Sequence, residues 1–240
     1  MSIDARHAAI VTGATGGLGR QICLQLAERG WDLVLGWHQS ESTAQSLMAE
    51  LASLKTGIHA SRLDMGNTDS LAAAIDFEFS SPIDTLIINA AARPQIAPFG
   101  RLDLTELEAQ FQVSVLGPFE MIRSVWRRHF QRQRKGHLIV ISTIGVEPPS
   151  ASRMAGYIVG KAALEAVASC AMSEYGSAGL ATTIVRLSYS DTPFLQVFEP
   201  RFVDMLREKG LVSSAQQAAS VITHVANNPP ASGNCVICKS

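Results

Sequence analysis

Short apolar and β-branched runs alternate along the chain with longer stretches in which apolar residues recur every three or four positions. The runs lie at residues 8–11, 32–35, 58–63, 85–88, 137–141, 182–186 and 234–237. Continuous runs of this length are typical of parallel strands covered on both faces. Strands that alternate with helices throughout predict an α/β fold, a doubly wound parallel sheet flanked by helices, with ligands bound where the strands end.

Helices are predicted between these strands. The first carries Leu18, Ile22, Leu26 and Ala27, and later ones are expected at residues 42–54, 102–129 and 157–175, with a helical region over 202–225. No internal repeat or linker interrupts the pattern, which favours one domain over residues 1–240. The polar start of the chain predicts no signal or transit peptide, and no apolar run is expected to span a membrane.

Composition narrows the classes of function. Hydrophobic residues make up 47% of the 240 positions, charged residues 17%, and the net charge is −1. This balance gives no electrostatic reason to expect nucleic acid or a membrane as partner, and it favours a cytoplasmic protein. Cys235 and Cys238 lie in a predicted strand, where a three-residue step sends side chains to opposite faces. Neither they nor the six histidines predict a metal site or a disulfide framework.

A glycine-rich turn follows the first strand and precedes the first helix. Gly13, Gly17 and Gly19 have the spacing G-x-x-x-G-x-G. Glycines let the backbone approach a phosphate, which the helix amides and dipole then hold. The turn has no lysine and therefore is not a Walker loop, and its spacing differs from G-x-G-x-x-G. It indicates a nucleotide site of another type.

The end of the second strand bears on which nucleotide is bound. Residues 36–40 contain no acidic side chain that would accept ribose hydroxyls, and the next acid is Glu41. His38, Gln39 and Ser40 can donate hydrogen bonds to a 2′-phosphate. NADP(H) is therefore favoured over NAD(H), while an ordinary polar loop remains the other interpretation.

Tyr157 and Lys161 form a second chemical signal. Their four-residue spacing in a helix places the phenol and the ammonium on one face. A cation beside a phenol favours phenolate and is expected to lower the pKa of Tyr157 toward working pH, where it can exchange a proton with a substrate oxygen. By itself the pair is also typical of an ordinary helix surface.

Together these motifs resemble the short-chain dehydrogenase/reductase family over essentially the whole chain, and within it the 3-oxoacyl-carrier-protein reductase-like members. The glycine turn, Asn89-Ala90 after the fourth strand and Tyr157-x-x-x-Lys161 occur in the family's order. The resemblance implies a Rossmann-like domain in which Asp64 holds the adenine ring and Thr192 contacts the nicotinamide carboxamide. The residues expected to bind cofactor are Gly13, Thr15, Gly17, Leu18, Gly19, Trp37, His38, Gln39, Ser40, Asp64, Met65, Asn89, Ala90, Ala91, Tyr157, Lys161 and Thr192.

The resemblance also implies a mechanism. Hydride passes from nicotinamide to a carbonyl carbon, Tyr157 donates the proton, and Lys161 lowers the phenol pKa and binds ribose hydroxyls. Thr143 is expected to orient the carbonyl, with its neighbour Ser142 in reserve. Ser114 stands where the family has a catalytic asparagine whose backbone carbonyl holds a relay water.

Four departures from the family pattern leave two hypotheses open. They are Ser114, Leu187-Ser188 in place of Pro-Gly, Ala91 in place of a glycine, and a chain that ends at Ser240 without the family's glycine pair. The first hypothesis is an NADP(H)-dependent reductase of a 3-oxoacyl compound or other ketone. The alternative is a cofactor-binding homologue with little redox activity that acts as a scaffold or regulator.

The substrate side is predicted only in outline. A lid over residues 190–212 carries apolar side chains that favour an acyl or hydrophobic carbonyl substrate, although they equally suit plain packing: Pro193, Phe194, Leu195, Phe198, Phe202 and Met205. Arg93 and Phe99 are further candidates for the pocket. A basic run suggests docking of an acidic carrier protein, or simply a solvated helix end: Arg123, Arg127, Arg128, Arg132, Arg134 and Lys135. The helices at 102–129 and 157–175 suggest a homodimer or homotetramer.

Overall fold

A computed structural model describes residues 6–239. Its strands are β1 (Ala8–Val11), β2 (Asp32–Trp37), β3 (Ile58–Arg62), β4 (Ile83–Ile88), β5 (Gly136–Thr143), β6 (Leu180–Leu187), β7 (Tyr189–Asp191), β8 (Val212–Ser214) and β9 (Cys235–Lys239). Seven of them form one parallel sheet in the order β3-β2-β1-β4-β5-β6-β9, and β7 pairs with β8. This confirms the predicted α/β class and places each predicted strand in the sheet.

Helices cover both faces of this sheet. They are α1 (Gly17–Glu28), α2 (Glu41–Leu51), α3 (Thr68–Ile75), α4 (Leu104–Phe111), α5 (Gly117–Val125), α6 (Gln131–Gln133), α7 (Ala155–Tyr175), α8 (Pro200–Glu208) and α9 (Ala215–Asn227). Alternate strand residues enter different cores. In β1, Ile10 packs on the side of α5 and α7, whereas Val11 packs on the side of α1 and α9. Burial on both faces explains why the strands are continuously apolar.

The strand order fixes where a ligand can bind. From β1 the chain moves outward to β2 and β3, and it then returns to β4 on the other side of β1. A crevice opens outside the carboxyl ends of the strands where the order reverses. The amide of Thr12, just past β1, donates to the carbonyl of Ile87 at 3.0 Å and joins the two strand ends beside that crevice.

Two helix predictions are corrected by the structure. The helix expected at 102–129 begins at Leu104, because Asp103 caps it by accepting a hydrogen bond from the Thr105 amide at 3.0 Å. It ends at Gln133 and contains two wide π-type turns, at Gln112–Leu116 and Trp126–Phe130. The region expected at 202–225 is two helices. Gly210, with φ of +66°, lies between them, and β8 follows it. The short strands β7 and β8 were not predicted.

One helix reaches the length and hydropathy of a membrane span. Ala155–Ala178 meets both criteria by composition, so the expectation that no apolar run would do so needs correction. The helix packs against β5 and β6, and Leu164 and Ala168 lie in the core. Its apolar composition is therefore explained by its place on the sheet.

A testable consequence concerns Gly117, which brings α5 against the segment after β3. A Cβ at Gly117 would lie 2.3 Å from the Met65 carbonyl oxygen, whereas one at Gly156 in α7 would meet nothing closer than 3.6 Å. Gly117→Ala should lower the free energy of unfolding by about 1 to 2 kcal/mol despite alanine's better helix propensity. Gly156→Ala, the matched control, should be neutral or stabilising. Denaturant unfolding measures both, and equal effects would contradict the close contact.

Candidate active site

A cavity of about 1040 Å³ lies at the carboxyl ends of the strands. Its walls are the glycine turn, the segments after β2, β3, β4 and β5, the first turns of α7 and the segment after β6. Of the residues predicted to bind cofactor, all line this cavity except Trp37. Trp37 is the last residue of β2 and pairs with Arg62 in the sheet.

The glycine turn has the geometry of an anion site. Gly13 has a φ of +65°, a conformation that favours glycine, and a Cβ at Gly19 would lie 2.1 Å from the Gly13 carbonyl oxygen. Gly16 caps α1 without a side-chain hydrogen bond. The first amides of this 12-residue helix therefore remain available to an anion beside its positive dipole end.

Thr12 and Asn89 connect the turn to the end of β4. The Thr12 hydroxyl accepts hydrogen bonds from the amides of Asn89 at 2.9 Å and Ala90 at 3.0 Å. In return, the Asn89 side chain donates to the carbonyls of Thr12 and Gly13 at 3.0 and 3.1 Å. Asn89 was predicted as a cofactor residue, but Thr12 was not singled out. A buried threonine that directly precedes a glycine turn is the signal that would have identified it.

The two residues expected to bind different parts of the nucleotide contact each other. His38 Nε2 lies 3.3 Å from Asp64 Oδ2, across the ends of β2 and β3. Ser40 caps α2, where its hydroxyl accepts from the Thr43 amide at 3.3 Å. Nothing in the residue pattern indicated the His38–Asp64 pair, because it depends on the spacing of two strands that are separate in sequence.

Lys161 places its ammonium over the Tyr157 ring. Its side chain is 2% exposed, and Nζ donates to the Ile141 carbonyl at 2.7 Å while lying 5.8 Å from the centroid of the Tyr157 ring. Burial lowers the pKa of Lys161 to about 8, and the Glu165 carboxylate opposes that shift. Burial raises the pKa of the Tyr157 phenol. The expected lowering of the phenol pKa is therefore corrected: burial of the ring shifts the pKa of Tyr157 upward.

Ser142 and Thr143 have different partners. The Ser142 hydroxyl donates to Glu165 Oε1 at 2.5 Å, and Arg186 donates to both oxygens of the same carboxylate at 2.9 and 2.6 Å. Thr143 Oγ1 accepts a hydrogen bond from the Gly145 amide at 3.1 Å, and no described residue accepts a hydrogen bond from the Thr143 hydroxyl. Both residues line the cavity, but only Thr143 keeps a donor for a ligand.

Ser114 is the predicted catalytic residue that does not line the cavity. It lies in the π-type turn between α4 and α5, is 1% exposed, and its hydroxyl has no hydrogen-bond partner among residues 6–239. A Cβ at Gly160 of α7 would lie 3.3 Å from its Oγ. π-type turns within helices often occur at functional sites, so the backbone of this turn is a candidate for function although the Ser114 side chain is enclosed.

Some apolar residues of the lid line the cavity, and others pack against one another. Phe194 lies 5.4 Å from the Tyr157 ring, and a Cβ at Gly17 would lie 2.9 Å from Thr192 and Pro193, so the lid reaches the glycine turn. Phe198 and Phe202 instead pack around Tyr189 at 5.7 and 6.1 Å. Phe194 and Leu195 line the cavity together with Leu187 and Ser188, whereas Phe198, Phe202 and Met205 do not.

The basic run is partly neutralised. Arg128 contacts Asp76 at 3.6 Å and Glu78 at 2.7 Å, and Lys135 contacts Asp84 at 3.5 Å. Arg123 pairs with Glu120. Arg127, Arg132 and Arg134 are exposed without an ion pair in the described part of the chain, so fewer cations remain for a partner than the six that the sequence suggested.

The chain is similar in sequence to known proteins. The profile of the family described as short chain dehydrogenase matches residues 7–201. L-xylulose reductase of Caenorhabditis elegans is 33% identical over 169 residues, which are 70% of this chain and 65% of that enzyme. The chain thus spans slightly less than two thirds of that relative. A 3-oxoacyl-acyl-carrier-protein reductase of Staphylococcus aureus strain N315 is 28% identical over 181 residues, 74% of this chain and 72% of that enzyme.

A solved structure supports the same fold. An alcohol dehydrogenase from the archaeon Thermococcus sibiricus, complexed with 5-hydroxy-NADP, superposes with a TM-score of 0.81 at 19% identity. The superposition covers 98% of this chain and 95% of that one. At this identity the likeness concerns the fold alone.

The buried ammonium of Lys161 gives a test by pH. A lysine with a folded-state pKa of about 8 costs stability while charged, and the cost is relieved as pH rises toward the ordinary lysine pKa of about 10.4. Between pH 8 and 10, the free energy of unfolding of the natural protein should rise relative to that of Lys161→Met, approaching about 3 kcal/mol. Urea unfolding of both proteins measures this, and parallel pH curves would contradict the assignment.

Proposed function

The chain belongs to the short chain dehydrogenase family, whose members are oxidoreductases that use NAD or NADP, and we propose that it reduces a carbonyl compound to an alcohol with NADP(H). The observation that carries the proposal is the joint lining of one cavity by an anion-binding glycine turn and by Thr143, Tyr157 and Lys161. A site that only binds cofactor has no evident use for the Thr143 hydroxyl beside a phenol that can donate a proton.

The chain's own residues fit a dinucleotide. Side chains at Gly13 or Gly19 would fill the turn, and the α1 amides above it have no side-chain cap. The turn would hold the diphosphate, the segments after β2 and β3 the adenosine, and Lys161 with Thr192 the nicotinamide ribose and carboxamide. When bound, the reduced nicotinamide supplies hydride to the substrate.

The protonation state of Tyr157 suits reduction. A phenol whose pKa is raised by burial carries its proton at neutral pH and can donate it to the oxygen of a carbonyl under reduction. Thr143 retains a free donor with which to orient that oxygen. The reverse reaction needs the phenolate, which a raised pKa makes scarce at neutral pH, so we expect reduction to be the faster direction there. Lys161 moderates this preference, because a buried cation near the ring stabilises negative charge on the phenol.

The preference for NADP(H) rests on the end of β2. No acidic residue occurs at positions 36–40, while His38, Gln39 and Ser40 line the cavity and carry donors. His38 also lies beside Asp64, so a 2′-phosphate would compete with a carboxylate for this imidazole. We expect a moderate preference rather than the strict one that an arginine would give.

Assembly and location are part of the same proposal. Large apolar side chains are exposed on the helices expected to form subunit contacts: Leu104, Leu116 and Phe119 on the α4–α5 segment and Val159 on α7. These favour a homodimer through that surface. We propose the cytoplasm as the location of the protein, in keeping with its ordinary composition and charge. A substrate carried by an acidic protein remains compatible with the unpaired Arg127 and Arg132.

A second candidate is a cofactor-binding protein with little redox activity. Ser114 favours it, because its hydroxyl is enclosed and unpartnered where a catalytic asparagine stands in relatives of the reductase type. It predicts NADPH binding without oxidation by any ketone. Ser114→Asn would then be the substitution to restore turnover.

The decisive variant for the reductase is Tyr157→Phe. Loss of the phenolic proton should lower kcat for NADPH oxidation with a ketone by about 100-fold or more, since general acid catalysis contributes this much. The Kd for NADPH, measured by fluorescence, should change little because the ring remains beside Phe194. Thr143→Val should lower kcat while leaving Kd similar. Full turnover in Tyr157→Phe would refute its role as proton donor.

A further inference from the structure

The charged residues that line the cavity are divided between its two halves. Asp64 and His38 follow β3 and β2, on the side of the sheet assigned to adenosine. Lys161 and Arg93 lie on the side of β4 and β5, with Tyr157 and Thr143. Lys161 is buried and bonded to Ile141. Arg93 is therefore the one exposed cation among the described residues lining the substrate half.

The backbone of Arg93 is held in place from several directions. The next residue is Pro94, whose ring restricts Arg93 to extended conformations. Pro94 is itself buried. Its carbonyl accepts a hydrogen bond at 3.2 Å from Gln110 of α4, a side chain with 0% exposure. Gln110 also donates to Glu106 at 3.0 Å, and Glu106 accepts from the Gln95 amide at 3.0 Å. The loop is thus anchored to α4 on both sides of Pro94.

The guanidinium of Arg93, by contrast, has no partner. Within residues 6–239 it makes no ion pair, and Glu106, which anchors the same loop, is engaged by Gln95 and Gln110. An arginine held by its backbone and free at its head presents donors in a planar fork that matches carboxylate or phosphate. Apolar side chains such as Met154 and Phe194 line the same cavity, so it offers both an apolar wall and a cation to one substrate.

From these observations we infer that Arg93 binds an anionic group on the substrate, so that the preferred substrates are carbonyl compounds bearing a carboxylate or a phosphate. The inference rests on the proposed reductase function and specifies its substrate class. It changes the expectation of a purely hydrophobic substrate: Phe194 and Met154 accommodate the carbon skeleton, and Arg93 fixes its charged end. The cofactor diphosphate does not require Arg93, because the α1 amides on the β1 side serve it.

The test compares charged and neutral versions of one skeleton in three proteins. The pairs are acetoacetate with methyl acetoacetate, and dihydroxyacetone phosphate with dihydroxyacetone. The proteins are the natural chain, Arg93→Met and, as matched control, Arg101→Met. Arg101 is an exposed arginine of the same loop that does not line the cavity and makes no ion pair with the described residues. The readout is the ratio of kcat/KM for the charged compound to that for its neutral partner.

We expect the natural chain to prefer the charged member of at least one pair. Arg93→Met should lower that ratio about tenfold or more, as loss of a hydrogen bond to a charged group does, and Arg101→Met should not. The pair that responds identifies carboxylate or phosphate as the group bound. Ratios near one in the natural chain, equal losses in both variants, or a rise in the Kd for NADPH confined to Arg93→Met would overturn the inference.

Binding separates this inference from the proposed reaction. If no compound is reduced, calorimetry of acetoacetate and of inorganic phosphate with protein preloaded with NADP⁺ still tests Arg93. Binding to the natural chain and to Arg101→Met, lost in Arg93→Met, would keep the anion site while the reductase proposal failed. Absence of binding to the natural chain would overturn the anion site as well.

Discussion

The buried ammonium of Lys161 is the constraint around which the active-site half of the fold is arranged. A lysine at 2% exposure is costly unless charge and hydrogen bonds compensate it. Here the Ile141 carbonyl accepts a hydrogen bond from the ammonium, and Glu165, one turn along α7, provides the opposing charge. Glu165 is in turn held by Arg186 of β6 and by Ser142 of β5. Lys161 and Glu165 thereby join α7 to the ends of β5 and β6.

This network assigns different tasks to adjacent residues. Ser142 and Thr143 follow each other in β5, so their side chains leave opposite faces, and only the first enters the ion-pair network. At the end of β6, Arg186 binds Glu165 and Glu147 immediately before Leu187-Ser188, which line the cavity. The turn that lost the family's Pro-Gly is therefore secured through the arginine that precedes it. The ion pairs and hydrogen bonds that compensate the largely buried Glu165 carboxylate also fix the positions of Ser142 and Arg186 at the edge of the cavity.

Much of the fold and of the cavity could be predicted from sequence, because each depends on local pattern. Apolar runs identified all the strands of the main sheet, and the glycine turn, Asn89 and Tyr157 with Lys161 were placed in one cavity. The features that the sequence did not predict depend on tertiary contact: the His38–Asp64 pair, the hydrogen bond from Ser142 to Glu165, and the enclosure of Ser114. The phenol pKa was misjudged because four-residue spacing conveys proximity, whereas burial of the ring decides the sign.

The central claim is that one cavity binds NADP(H) and passes hydride to a carbonyl protonated by Tyr157. The most direct measurement uses NADPH carrying deuterium at C4 of the nicotinamide, incubated with the purified protein and the ketone pairs, with the products analysed by NMR. The account predicts deuterium on the carbinol carbon of a product alcohol, formed faster from NADPH than from labelled NADH. Tight NADPH binding with no deuterium transferred to any of these carbonyl compounds would contradict it.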